Sequence, residues 1–394
     1  MHTWNCTIGK RLYKITHKRE CRAKTMFNPR QMVLSSKTYL NWVSFNYLGL
    51  SNHPAVIGAF SEASNKYGIG STGAPTLCGY SDEHEKLAME LAIWLGYEKC
   101  LLFTSGYQLA VGLYSQLADI NTTIWLDKNC HASHIDGILL SKAKFVTFGA
   151  ETIDNVMQQI KLQKSKLHIV LSEGTFSMDG TCTYLHKLIC LKRDCPENVL
   201  LIIDDAHGIG AFGKNGLGTF EQLNLENLSI DLFIGTLGKA FASHGGFIAG
   251  SSLLINYLQQ TVRSLLFSTC LPAGIAAASR ASLKIIRSDE GLRLREMLDG
   301  NINYFDELSR FYDLPIYQQQ SNTSAIQLLA FDNEALVKNI SNQLLEQGLL
   351  CGCIIYPSVA KSLPRIRISI NAGHLPEDIE LLCYSLHKVM LKYA

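Results

Sequence analysis

The chain is 394 residues long, and its 36 lysines and arginines nearly balance its 34 aspartates and glutamates, giving a formal net charge of +2. This balance argues against a nucleic-acid-binding protein, which carries a strong basic excess. No apolar run reaches the roughly 20 residues that span a bilayer, so we expect no membrane span. The 12 cysteines are scattered without a CxxC pair, which favours reduced thiols and a cytoplasmic protein.

Residues 1–50 are predicted to form an N-terminal arm. Its first thirty residues carry one acidic side chain, Glu20, among eight basic ones: Lys10, Arg11, Lys14, Lys18, Arg19, Arg22, Lys24 and Arg30. Two interpretations are open for this composition. It is typical of a mitochondrial presequence, and equally of a solvated amphipathic helix with Ile8, Leu12, Tyr13 and Ile15 on its apolar side.

The body of the chain alternates short apolar strands with helix-like segments. This alternation predicts an α/β protein with a mainly parallel sheet in a large domain, 51–287. Helices and strands also alternate in 288–394, which we expect to form a smaller α+β C-terminal domain. The strands predicted in the large domain are 101–103, 124–126, 145–148, 167–171, 199–203, 232–234 and 247–249.

Two patterns suggest sites that the surrounding sequence argues against. The GxGxxG at 68–73 is preceded by a helix-like segment, whereas a dinucleotide-binding fingerprint must follow a strand, so we expect no dinucleotide there. Cys130, His131 and His134 are close in sequence, but no further cluster of ligands accompanies them, so we expect no metal site.

The residues that organise the chain are a lysine and an aspartate at two strand ends. Lys239 follows the apolar strand 232–234, which we expect to stop at Gly235, and it lies among small residues. Asp204 ends the strand 199–203, where a carboxylate needs a cation or strong donors. Pyridoxal 5′-phosphate (PLP) needs both a lysine that forms a Schiff base and an acid beside its ring nitrogen. The pair therefore predicts a PLP site.

A strand, a small polar turn and a helix follow one another at 101–117. The turn contains Gly106 and Tyr107, and such an arrangement presents backbone N–H groups to a phosphate. An ordinary connection between a strand and a helix explains the same pattern equally well.

Several segments together resemble the α-oxoamine synthases, which are PLP enzymes of fold type I. The resemblance covers about 39–387, and its segments are SFNYLGLSNHP (44–54), GYSDEHEKL (79–87), SGYQ (105–108), HASHIDG (131–137), EGTFSMDG (173–180), DDAHGIGAFGKNGLG (204–218), TLGKAF (236–241) and FSTCLP (267–272). The resemblance implies a PLP-dependent transferase fold. It also favours a helix at the basic N-terminus, because family members carry one over the active site.

The resemblance implies a role for each residue that matches a family motif. Lys239 would bind PLP and act as the base at the substrate Cα, and Asp204 would pair with the ring nitrogen. His131 would stack on the ring, while His207 and Ser177 would lie near its phenolic oxygen. The phosphate would be held by Thr236, Gly106 and Tyr107, and by Ser268 and Thr269 from a neighbouring subunit, which implies a homodimer with shared sites. Arg367 would bind the amino-acid carboxylate, and Arg22 would meet the far end of the acyl chain.

The implied reaction is a decarboxylating condensation of a small amino acid with an acyl thioester. The stretches at 285–291 and 324–327 are similar to family members that join L-alanine to a pimeloyl thioester in biotin synthesis. Tyr356 and Pro357 stand where many of those members have Arg-Pro, and Thr72 and Ala74-Pro75 also depart from the family pattern. Glycine acetyltransferases, serine palmitoyltransferase-like enzymes and signal-molecule synthases remain alternatives, as does a non-catalytic partner subunit. The acyl carrier is coenzyme A or acyl carrier protein.

Overall fold

The computed structural model describes residues 24–162, 167–182, 184–225, 230–317, 324–356 and 358–393. Its larger sheet has seven strands. Their spatial order is β4 (Lys99–Phe103), β10 (Gly246–Gly250), β9 (Leu232–Thr236), β8 (Val199–Asp204), β7 (His168–Glu173), β5 (Thr123–Asp127) and β6 (Lys144–Phe148). Strand β10 is antiparallel to both of its neighbours, and the other pairs are parallel. The predicted α/β class with a mainly parallel sheet is confirmed.

The larger sheet is buried on both faces, as a parallel sheet requires. Side chains alternate along β8: Leu201 and Ile203 belong to one hydrophobic core and Ile202 to the other. The helices that precede, connect and follow these strands are α1 (Pro54–Tyr67), α2 (Asp82–Leu95), α3 (Gly106–Leu117), α4 (Ala132–Ser141), α5 (Ile153–Leu162), α6 (Leu185–Asp194), α7 (Thr219–Gln222), α8 (Ser252–Thr261), α9 (Arg263–Leu266) and α10 (Ala273–Ile286).

The second sheet has six strands and joins the two ends of the chain. Its spatial order is β1 (Lys24–Asn28), β2 (Gln31–Leu34), β3 (Lys37–Trp42), β12 (Leu349–Ile354), β13 (Arg365–Ser369) and β11 (Ile326–Ala330). Strand β3 pairs in parallel with β12. The helices of this part are α11 (Asp289–Phe311), α12 (Glu334–Glu346) and α13 (Pro376–Met390).

The N-terminal strands lie within the predicted arm. Residues 24–34 belong to the predicted arm, yet they form an antiparallel hairpin in the same sheet as the C-terminal strands. The hairpin joins that sheet through β3, whose partner β12 lies more than 300 residues away in the chain, so local sequence could not indicate the pairing. The basic helix predicted near the N-terminus lies outside the described residues. The division into 1–50, 51–287 and 288–394 stays a prediction.

Strand β9 also differs from its prediction, because it does not stop at Gly235 but continues to Thr236. Gly235 lies opposite Phe247 on β10, and a Cβ added at Gly235 would lie 2.2 Å from the Cζ atom of that buried ring. The glycine therefore makes room for a cross-strand aromatic side chain and does not end the strand. None of the helices in the described ranges is long and apolar enough to cross a bilayer.

We predict that Gly235→Ala lowers the free energy of unfolding by about 1–3 kcal/mol, because the new methyl group overpacks the core against Phe247. Gly58→Ala is the matched control, since Gly58 lies exposed on α1 with nothing within 4 Å of an added Cβ. The control should be neutral or slightly stabilising. Thermal and urea unfolding of both variants measure the effect, and equal stability of the two would contradict this account of Gly235.

Candidate active site

The predicted lysine and aspartate lie near the carboxyl ends of two adjacent parallel strands, β9 and β8, and a glutamate ends the next strand, β7. Glu173 at the end of β7 is in register with Asp204 at the end of β8, and Asp204 is in register with Ile234 on β9. Lys239 follows three residues after the end of β9. In open α/β sheets, ligands bind beyond the carboxyl ends of the strands. The strand ends therefore place a base, an acid and a buried carboxyl group in one pocket.

The ring of Phe45 connects three of the predicted site residues. The Lys239 Nζ atom lies 5.7 Å from the ring centroid, and the Arg367 guanidinium carbon lies 4.7 Å from it. The His207 ring meets the same phenyl ring edge to face, with the centroids 5.0 Å apart. Phe45 follows β3, so this contact brings a residue of the second sheet, Arg367 on β13, to the pocket of the first. The motif at 44–54 contained Phe45, but nothing in its spacing indicated this contact.

The amine of Lys239 is partly buried among charges of both signs. Burial lowers the pKa of Lys239, Asp204 and Glu173 act against that effect, and the net result is a pKa of about 8. The positive charge of Arg367 adds to the lowering. A lysine with this pKa is partly neutral near pH 7.5, so its amine can act as a nucleophile or a base.

The carboxyl group of Asp204 is held at both oxygens. Its Oδ2 atom lies 3.0 Å from the Nε2 atom of His134, and its Oδ1 atom accepts a hydrogen bond from the backbone N–H of Ala206 at 2.9 Å. Burial favours the neutral acid, but the hydrogen bond from His134, the charge of Lys239 and the hydrogen bond from the Ala206 N–H together outweigh it and lower the pKa of Asp204. Asp204 is thus an anion inside the pocket. In the sequence, His134 stood out only as an unsupported metal ligand.

His131 and Glu173 form a second pair at the strand ends. The backbone N–H of His131 donates to the Glu173 carboxyl group, and the His131 ring caps helix α4. The ring itself stays exposed, as stacking on a ligand requires. Glu173 is buried, and burial together with the nearby Asp204 raises its pKa well above the usual range. Glu173 is therefore a neutral acid behind His131, a partner that sequence reasoning missed.

His207 lies buried beside Tyr47. The tyrosine hydroxyl is 2.7 Å from the His207 Nδ1 atom, and both side chains are at most 4% exposed. Burial, strengthened by the cations Lys239 and Arg367, lowers the pKa of His207 well below its ordinary value. The imidazole is consequently neutral at physiological pH. Tyr47, like Phe45, comes from the segment after β3.

Arg367 contacts Ser177 as well as the Phe45 ring. The Arg367 Nη1 group donates to the backbone carbonyl of Ser177 at 3.2 Å, and burial lowers the arginine's pKa. In the described part of the chain, no carboxylate lies within 4.0 Å of this guanidinium, although buried cations are normally paired. A carboxylate from a ligand would supply the missing partner.

The groups predicted to bind phosphate lie at the start of α3 and the end of β9. Ser105 caps helix α3 by accepting from the Gln108 N–H at 3.1 Å, so Gly106 and Tyr107 open the helix. The first N–H groups of a helix have no partner within it and attract anions. A Cβ built at Gly106 would meet nothing within 4 Å, which leaves room for a ligand. The Thr236 hydroxyl donates to the Gly245 carbonyl at 3.1 Å.

Two of the predicted residues are not part of this constellation. Ser268 and Thr269 follow α9, and neither hydrogen-bonds to another predicted site residue within the described ranges. Thr269 instead lines a cavity of about 550 Å³ with Thr104 and Gln108. Arg22 lies outside the described residues. Tyr356 is 45% exposed.

The donor set of the pocket fits PLP. A partly neutral lysine, an ionised aspartate, an exposed histidine ring and a helix N-terminus are the groups that its aldehyde, ring nitrogen, ring face and phosphate require. Small residues surround the lysine, and a Cβ at Gly238 would come no closer than 3.5 Å to a neighbouring atom. The pocket therefore has the chemistry and the room for this cofactor.

Known proteins are similar to the chain over nearly its whole length. The family model for aminotransferase class I and II matches residues 37–386. An 8-amino-7-oxononanoate synthase of Marinomonas sp. (strain MWYL1) is 37% identical over 357 residues, which cover 91% of this chain and 87% of that protein.

Solved structures agree with this relationship. A structure of SPT with PLP superposes with a TM-score of 0.88 at 25% identity, covering 94% of this chain and 92% of the other. The 8-amino-7-oxononanoate synthase of Francisella tularensis gives a TM-score of 0.77 at 27% identity, covering 90% and 99%. The fold-type I architecture expected from the sequence is thereby confirmed. The chain belongs to the aminotransferase class I and II family, and within it to the α-oxoamine synthases.

Proposed function

We propose that this chain is a PLP-dependent acyltransferase that condenses L-alanine with a pimeloyl thioester to give 8-amino-7-oxononanoate, carbon dioxide and a free thiol, in biotin biosynthesis. The observation that carries the proposal is the pocket of Lys239, Asp204 and Arg367, in a chain that matches synthases of this name over about nine-tenths of its length. The choice of substrates is inferred from the similar synthases, and the reaction chemistry is inferred from the residues of the pocket.

Lys239 is the residue that would attach the cofactor and take the proton from the substrate Cα at its Nζ atom. When bound, PLP supplies an electron sink for the electron pair left at that carbon. With a pKa of about 8, roughly a quarter of the free lysine is neutral at pH 7.5. The amine therefore needs no second base to activate it.

Asp204 and His131 would hold the cofactor ring from its edge and its face. An ionised Asp204 accepts a charge-assisted hydrogen bond from a protonated ring nitrogen, which is stronger than a neutral one. The exposed ring of His131 provides a flat surface for stacking, and its position as the helix cap fixes its orientation. Thr236, Gly106 and Tyr107 would bind the phosphate with a hydroxyl and helix N–H groups.

Arg367 would orient the amino acid, because a guanidinium binds a planar carboxylate with two parallel hydrogen bonds. His207, being neutral, would donate a hydrogen bond to an oxygen of the cofactor ring or of the thioester carbonyl. Ser177 lies beside Arg367, and its hydroxyl would donate a hydrogen bond to the phenolic oxygen of the cofactor ring. Together these groups would hold the substrate Cα close to Lys239 and to the incoming acyl group.

A homodimer with shared sites is part of the proposal. Tyr80, Met89 and Ile93 are 45%, 55% and 66% exposed and line one cavity with Thr269. Clustered exposed apolar side chains mark an interaction surface. A second copy of the chain on this face would cover them and bring Ser268 and Thr269 near a neighbouring phosphate. The thioester carrier, coenzyme A or acyl carrier protein, and a cytoplasmic location are likewise proposed.

We predict that the purified protein is yellow and that borohydride reduction fixes the cofactor to Lys239. Peptide mapping by mass spectrometry identifies the modified residue. Lys128 is the matched control lysine, since it also lies just beyond the carboxyl end of a strand of the same sheet but is paired with Glu151 at the surface. Lys239→Ala should abolish the covalent attachment and Lys128→Ala should not. Modification of another lysine would overturn the assignment.

We predict that kcat/KM is higher for L-alanine with a pimeloyl thioester than for glycine with acetyl-CoA or L-serine with palmitoyl-CoA. One methyl group discriminates by only roughly 1–3 kcal/mol, so glycine should retain weak activity. Using [1-¹³C]alanine, labelled carbon dioxide and free thiol should appear in equal amounts.

The same assay separates the alternatives. Pimeloyl-CoA ends in a free carboxylate, whereas a pimeloyl ester on acyl carrier protein has a neutral end. Comparing the two tests whether Tyr356, at a position where many members of the resembled family have arginine, favours the neutral end. Arg22→Ala tests the proposed contact of the N-terminus with the free acid. A tenfold or greater advantage of glycine with acetyl-CoA would rule out the biotin assignment and leave the family unchanged.

A further inference from the structure

A buried chain of hydrogen bonds runs from helix α3 to the pocket. The Tyr114 hydroxyl lies 2.6 Å from the His134 Nδ1 atom, and the His134 Nε2 atom lies 3.0 Å from Asp204 Oδ2. Tyr114 and His134 have no exposed surface, whereas the Asp204 side chain is 14% exposed. Only the carboxylate end of the chain therefore reaches the pocket.

The position of the His134 proton follows from the tyrosine. No other acceptor for the Tyr114 hydroxyl is found within the described ranges, so the phenol must donate to His134 Nδ1 or leave its proton unpaired in the core. A buried unpaired donor costs roughly 1–3 kcal/mol. Nδ1 is therefore an acceptor, and Nε2 carries the proton that is donated to Asp204.

Helix packing makes the contact between Tyr114 and His134 possible. Helices α3 and α4 approach so closely at Gly137 that an added Cβ would lie 2.2 Å from the Ala110 carbonyl oxygen. His134 is one helical turn after His131 on α4, so the same turn carries the exposed ring at the pocket and the buried ring behind it.

The carboxylate has competing neighbours on every side. Burial and the charge of Asp204 raise the pKa of Glu173 at the end of β7 and of Asp205, the residue after β8, while Lys239 after β9 favours the negative charge on Asp204. Tyr114, Cys130 and His131 complete its surroundings. Among these groups, His134 is the one that donates a side-chain hydrogen bond to Asp204.

We propose that Tyr114 and His134 are positioning residues that keep Asp204 a carboxylate and fix its orientation toward the cofactor's ring nitrogen, without touching cofactor or substrate. The inference rests on the proposed role of Asp204. His134 holds Oδ2 and the Ala206 N–H holds Oδ1, so the carboxylate plane has one orientation. Tyr114 acts through His134: its hydroxyl donates to Nδ1, so the imidazole proton stays on Nε2 and is donated to Asp204.

The test compares variants that keep or remove the donor to Asp204. His134→Gln retains an N–H group that can reach the carboxylate, and His134→Leu removes it. Tyr114→Phe removes the hydroxyl that fixes the tautomer. Tyr184→Phe is the control, since it removes a hydroxyl bonded to another buried carboxyl group, Asp127, outside this network.

The first readout is the pH titration of the Asp204 carboxyl carbon by NMR in cofactor-free protein, assigned with Asp204→Asn. We expect a low pKa in the wild type, His134→Gln and Tyr184→Phe, and a rise of about one unit or more in His134→Leu, equivalent to a tenfold loss of carboxylate stabilisation. Tyr114→Phe should raise it by a smaller amount and change the ¹⁵N signal of His134 Nδ1.

The second readout is the dissociation constant for PLP, which should rise severalfold in His134→Leu, because the carboxylate loses the hydrogen bond that fixes its orientation, and less than twofold in His134→Gln. An Asp204 titration unchanged in His134→Leu, or shifted equally in Tyr184→Phe, would overturn the proposal. Because the titration uses protein without cofactor or substrate, it stands apart from the biotin assignment, which could fail while this network is upheld.

Discussion

The site depends on one constraint: Asp204 must carry a negative charge in a pocket that is mostly buried. Burial alone would make this carboxyl group neutral. The hydrogen bond from His134 and the charge of Lys239 reverse the outcome for Asp204. For Glu173, the hydrogen bond from the His131 N–H and the charge of Lys239 do not offset burial, so its pKa stays well above the usual range. Burial raises the pKa of Asp205 to about 7. Three neighbouring acids thus differ in charge because their partners differ.

The second physical feature is the junction between the two sheets. Phe45 and Tyr47 follow β3 of the six-stranded sheet, and they contact Lys239, His207 and Arg367. The backbone carbonyl of Tyr47 also accepts from the Ala372 N–H at 2.8 Å, just after β13. Arg367 and Lys239 are therefore contacted by the same short segment. Movement of that segment would alter substrate binding and proton transfer together.

Sequence reasoning found the parts of the site that depend on strand ends and motifs. Lys239 and Asp204 could be predicted because each follows an apolar strand, and parallel strands bring such ends together. His134, Tyr114 and Phe45 could not, because their roles come from helix packing and from a contact between distant segments. The stop predicted at Gly235 failed because the glycine accommodates Phe247 on the next strand. The roles of the individual residues and the division into domains stay predictions.

The most direct test of this account is to compare Asp204→Asn with Asp205→Asn. Asp204→Asn should still bind PLP, but kcat should fall by a factor of a hundred or more, since losing one preorganised charge interaction costs about 3 kcal/mol. Asp205 is hydrogen-bonded to the backbone and hydroxyl of Thr219, so Asp205→Asn should mainly lower stability. The account would be contradicted if Asp204→Asn kept a near wild-type kcat, or if Asp205→Asn had the larger effect on turnover.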